Sequence, residues 1–77
     1  MNTKMADVTI HIDEETSSDD METLRDNLLK KNGVLAADYN NKTPHLMVVE
    51  YNPDVVNSAE LLSVVGKLNF HGELIGL

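Results

Sequence analysis

The side chains best able to do chemistry gather in one short run, Asp13 to Asp20, which reads DEETSSDD. Carboxylates at 13, 14, 15, 19 and 20 flank the hydroxyls of Thr16, Ser17 and Ser18. The imidazoles are His11, His45 and His71, and the chain has no cysteine. Imidazole with carboxylate suits Zn, Ni or Cu(II), and oxygen-rich sets suit Mg, Ca or Mn. The candidate metal set is therefore Ser17, Asp19, Asp20, His45 and His71, with Zn or Cu(II) as the ion. A simpler account competes with it. Acids and hydroxyls are what a helix N-terminus selects, through capping and the helix dipole, and histidines commonly sit on surfaces. Capping covers nearly every residue of the run and is the heavier reading.

Catalysis finds no set of roles. There is no Cys nucleophile, no Gly-rich phosphate loop and no Ser–His–acid pattern with a recognisable elbow. Asp19 and Asp20 are sequence neighbours and do not oppose each other across a substrate. The expectation is a non-enzyme.

The elements that position this run follow from periodicity. Val8, Ile10 and Ile12 alternate with Thr9 and His11, which predicts a half-buried strand over about 6–13 after a frayed start at Met1 to Met5. Met21, Leu24 and Leu28 have helical spacing, predicting a helix over about 18–32. Ser17, Ser18 or Asp19 are candidate caps, with Asp19 and Glu22 as a capping-box pair. Asn32-Gly33 is expected to stop it. Strands follow at about 34–40 and 45–51, joined by a turn at Asn40 to Pro44. Met47, Val49 and Tyr51 face one way, and Leu46, Val48 and Glu50 the other. A second helix over about 58–68 is expected to start from a Ser58 cap, with Leu61, Leu62, Val65 and Leu68 on its apolar side. Gly66 costs it about 1 kcal/mol relative to Ala, which suggests a close packing contact there. A last strand spans about 70–76, with Phe70, Gly72 and Leu74 on one side. Met21 and Met47 are expected to fill core gaps.

The order β-α-β-β-α-β predicts an α+β, ferredoxin-like sandwich: a four-stranded antiparallel sheet with two helices on one face. Residues 1–77 are read as a single domain with no repeat or linker. This topology brings the first loop, the 40–45 turn and the start of the last strand to the same end. It also leaves one sheet face open, where His11 joins Leu46, Val48 and Ile75 as a candidate interaction face. Scattered exposed aliphatics are the competing account, at even weight.

A 77-residue chain with 42% hydrophobic residues has a small core and no disulfide or zinc–thiolate staple to help it. Its net charge of −7 argues against nucleic acid and against anionic membranes. No apolar run or targeting pattern is apparent, so cytoplasm is the default expectation. A field of this sign attracts cations or a basic patch on another protein.

Four features carry a resemblance. They are Leu28 with Gly33-Val34 after the first helix, Val49-x-Tyr51-Asn52-Pro53, Ser58-x-Glu60-Leu61-Leu62, and Asn69-Phe70-x-x-Glu73-Leu74. Their common spacing resembles heavy-metal-associated domains, the fold of copper chaperones and of the metal-binding modules of metal-pumping ATPases, over nearly the whole chain. The family's loop motif, Gly-Met-x-Cys-x-x-Cys, falls on Glu14 to Asp20. Ser17 and Asp20 stand at the two thiolate positions and Glu15 at the loop methionine. Phe70 matches the aromatic that lies beside the metal loop. The chain thus resembles a Cys-less, divergent member. Hydroxyl and carboxylate do not replace thiolate for Cu(I), so Cu(I) is not the expected ion.

Two functional expectations follow. The first is a non-catalytic module that docks onto a protein with a basic patch, forms a homodimer, or binds a harder metal weakly at the acidic end. The alternative is a metal chaperone or transporter accessory domain whose ligands come from a partner or a second copy.

Overall fold

In the computed structural model, which describes residues 4–75, the order is β1 (Ala6–Ile12), α1 (Ser18–Lys30), β2 (Val34–Asn40), β3 (Thr43–Tyr51), α2 (Ser58–Lys67) and β4 (Gly72–Ile75). The strands form one antiparallel sheet in the order β2-β3-β1-β4. This is the ferredoxin-like sandwich that the alternation of periods 2 and 3.6 predicts. The frayed start falls partly outside the described residues, as does the last residue of the expected 70–76 strand.

The core lies between the sheet and the helices. Val8, Ile10 and Ile12 of β1 and Met47, Val49 and Tyr51 of β3 are buried against Met21, Leu24 and Leu28 of α1 and Leu61 and Val65 of α2. Burying a side chain such as Leu24 contributes about 1.5–3 kcal/mol. The period of two then forces His11, Leu46, Val48 and Glu50 onto the opposite face. β2 is held in spite of its two alanines. Ala37 is buried and its carbonyl accepts from Arg25 Nε at 2.9 Å, while the Tyr39 hydroxyl donates to Glu22 at 2.5 Å. Tertiary contacts override propensity here.

The helix ends differ from the sequence expectations in four places. Asn57, not Ser58, caps α2, and its partner is Glu60 in a reciprocal capping box with both bonds at 2.9 Å. In α1 the box is Ser17 with Asp20, not Asp19 with Glu22. Gly33 does adopt the left-handed region, φ 96°, but past the Lys31 cap. It lies in a turn closed by the Val34 N–H on the Lys31 carbonyl at 3.1 Å. A Cβ at Gly33 would lie 2.8 Å from Val56 Cγ1. Among the described residues, Gly66 has no neighbour that a Cβ would meet, so close packing does not account for it. The tight glycine is Gly72, whose Cβ would approach Ile10 Cγ2 at 2.9 Å and Leu62 at 3.2 Å.

Two strand boundaries also move. α2 ends in a Schellman turn: Asn69, φ 69°, donates to the Gly66 carbonyl at 3.0 Å and Phe70 to the Val65 carbonyl at 3.3 Å. Phe70 is thereby the hydrophobic residue of a helix stop, packed against the core, and the last strand starts only at Gly72. β3 starts earlier than expected, at Thr43, because Asn41 and Lys42 alone make the turn. Pro44 is tolerated because pairing with β1 stops at His11 and Leu46, so its missing N–H leaves no ladder partner empty.

Candidate functional site

The first loop is occupied by bonds within the chain. The Ser17 hydroxyl accepts from the Asp20 N–H at 3.1 Å, and the Asp20 carboxylate accepts from the Ser17 N–H at 3.1 Å. Asp19 is exposed in the first turn of α1. Glu14 accepts the His71 N–H at 2.8 Å, and its second oxygen meets His71 Nδ1. The Asp13 N–H donates to the His71 carbonyl at 2.9 Å, and the Thr16 hydroxyl to the Pro44 carbonyl at 3.2 Å. The three segments do share one end of the sheet, but as a knot of structural bonds. His71's N–H and imidazole hold the Glu14 carboxyl below its ordinary value, and that carboxylate holds the His71 imidazole above its own.

The candidate metal set is therefore divided. Ser17 and Asp20 stand together in the cap, His71 is taken by Glu14, and His45 lies half-buried with its ring 5.9 Å from that of His11. Among the described residues, the group of His and carboxylate donors close enough to share an ion is another one: His11, Asp13 and Glu73, within 4.8 Å of each other. Sequence reasoning left Asp13, Glu14 and Glu73 unassigned. Antiparallel register sets Glu73 opposite His11; alternation alone places Glu73 on the open face but not against a particular residue of β1.

On the uncovered sheet face, β1 and β3 pair His11 with Leu46, Thr9 with Val48 and Asp7 with Glu50. β4 adds Ile75 opposite Thr9, and β2 adds Asp38 opposite Val48. Val48 is 44% and Ile75 39% exposed. Thr9, Asp38, Leu46 and Val48 help to line a shallow groove of about 320 Å³ on this face. Its charge is of one sign. Asp7, Asp38, Glu50 and Glu73 border the apolar centre, and among the described residues no strand contains a Lys or Arg. Asp7 and Glu50 are directly opposed like charges, an arrangement that disfavours the sheet. The cations lie instead at Lys4, in the helices or just beyond, and at Lys42 in the β2–β3 turn.

No protein-family model and no curated protein matches this sequence. Solved structures do match its fold. Oxidized MerP from Ralstonia metallidurans CH34 superposes with TM-score 0.86 at 18% identity, covering 95% of this chain and 100% of that one. The N-terminal domain of a potential copper-translocating P-type ATPase from Bacillus subtilis, in its Cu(I)-loaded state, gives 0.85 at 26% identity, over 95% and 90%. A copper-binding domain from HMA7, a P-type ATPase, gives 0.83 at 16%, over 91% and 93%. These neighbours include metal-binding modules of pumps, and metallochaperones such as CopZ; this chain has no cysteine. Among the described residues, no helix is long and apolar enough to cross a membrane. The structural neighbours are heavy-metal-associated domains, and the chain carries their ferredoxin-like fold.

Proposed function

We propose that this chain is a non-catalytic docking module, which uses the open face of its sheet to bind a protein whose apolar patch is bordered by Lys and Arg. The observation that carries this reading is the composition of that face: His11, Leu46, Val48 and Ile75 at the centre, and carboxylates with no strand cation around them. An apolar patch favours being covered, and a rim of one sign selects the cover. A second copy of the chain would bring Asp7, Asp38 and Glu50 against like charges, so a homodimer through this face is disfavoured. The alternative, a metal-transport accessory domain with partner-supplied ligands, draws support from the fold neighbours. It is weakened by the loop, where Ser17 and Asp20 are committed to the cap. No catalytic role is assigned.

The test is calorimetry with a synthetic amphipathic helical peptide rich in Lys and Arg, and with its Glu-substituted counterpart. The basic peptide binds at low ionic strength and weakens as salt rises, because the rim charges are screened. Equal affinity for the acidic peptide, or indifference to salt, contradicts the reading.

A further inference from the structure

We propose that His11, Asp13 and Glu73 form a divalent-metal site at the β1–β4 end of the open face, distinct from the Ser17–Asp20 cap of the first loop. His11 and Asp13 sit at and just past the end of β1, and Glu73 is the register partner of His11 on β4. Two of the donors thus stand on adjacent strands, and the third directly follows β1. Their ligating atoms lie within 4.8 Å of one another. His11 Nδ1 and Asp13 Oδ1 are 3.2 Å apart. Two ligands at roughly 2.0–2.1 Å from a tetrahedral Zn²⁺ are themselves separated by about 3.3 Å, so this pair already has the spacing of a shared ion. Only the Glu73 carboxylate has to close in.

His45 neighbours the cluster without joining it: its ring lies 5.9 Å from that of His11 at an interplanar angle of 33°, outside the group of donors that could share one ion. One imidazole with two carboxylates is a donor set of Zn²⁺, Ni²⁺ or Cu²⁺, and it is unsuited to Cu(I). The acidic border of the same face concentrates cations around it. The site shares His11 and Glu73 with the proposed docking face, but it needs no protein partner to fill.

The experiment is titration of the whole chain with Zn²⁺, followed by calorimetry and by backbone and imidazole chemical shifts. Saturable one-to-one binding is expected, with shifts at His11, Asp13 and Glu73. Loss of an outer-sphere partner alone typically weakens a metal by about 10–100-fold, so H11A and the nearly isosteric E73Q should each lose at least about tenfold. E15Q, in the exposed first loop, should bind as the unaltered chain does. Circular dichroism of H11A and E73Q confirms that the fold persists. No saturable binding, shifts confined to Glu14 and His71, or unchanged affinity in both variants overturns the site. Peptide binding without metal present leaves the docking reading standing whatever this titration gives.

Discussion

The first loop and the open sheet face are both acidic, and they spend their acids in opposite ways. At the loop, Asp20 closes the cap of α1 and Glu14 fastens the segment before β4, so each carboxylate has a backbone N–H as its partner. On the sheet face, Asp7 and Glu50 oppose each other across β1 and β3, and Asp38 stands beside an exposed valine. A satisfied carboxylate stabilises the chain that holds it, whereas a crowded one costs stability until something positive arrives. Position in the bond network, more than charge, separates the two kinds of acid.

The largest expected effect falls on the sheet face. Replacing Leu46 and Val48 together by Thr removes the β3 part of the apolar centre and places β-branched residues, which suit a strand, at both positions. Anchors at the centre of an interface are worth about 2 kcal/mol or more, so affinity for the basic peptide should drop at least about 30-fold. Thermal stability should change little, as both side chains retain exposure. A double variant that binds normally would remove the distinction between the two regions.

Reversing the rim sharpens the same contrast. Asp38→Lys with Glu50→Lys should lower peptide affinity by about tenfold at low salt and flatten its ionic-strength dependence. The direct Asp7–Glu50 repulsion is relieved as well, so this variant should be no less stable in denaturant melts.

The loop should answer in stability alone. Ser17→Ala removes the acceptor for the Asp20 N–H and should cost about 1 kcal/mol in urea unfolding, with peptide affinity unchanged. Loss of peptide binding in this variant would mean that the loop takes part in recognition.

The smallest effect is on pH. His71 is raised by Glu14, so its contribution is complete below the ordinary imidazole value of 6.5 and fades as pH climbs through the raised one. Glu14 is lowered, so its contribution is complete above its ordinary 4.5 and is lost as pH falls through the lowered value. The tie is therefore strongest between these two pH values. Amide exchange at residues 13–17 should quicken toward alkaline pH beyond the intrinsic increase, and His71→Asn should abolish that excess. Identical profiles for both chains would show that the pair does not hold the loop.

Much of the fold was legible because alternation and helical spacing are local. Val8, Ile10 and Ile12 specify a buried strand face, and Met21, Leu24 and Leu28 a buried helix stripe, without knowledge of their partners. The misplaced boundaries share a cause. Ser58 was an equally good cap by residue type, but the reciprocal pair with Glu60 requires Asn57 as the cap. Phe70 looked like strand because a hydrophobic helix stop and a strand start share a composition. The sites were less legible because their donors meet through register. His11 and Glu73 are far apart in the chain and become neighbours only through the β1–β4 register. Gly72, in turn, is dictated by how closely Ile10 and Leu62 approach it.

Backbone amide shift mapping during titration with the basic amphipathic peptide at low ionic strength tests the central claim most directly. The account predicts shifts at Thr9, His11, Leu46, Val48 and Ile75, and none of comparable size from Glu14 to Asp20. Shifts confined to the first loop, with the sheet face silent, would contradict it.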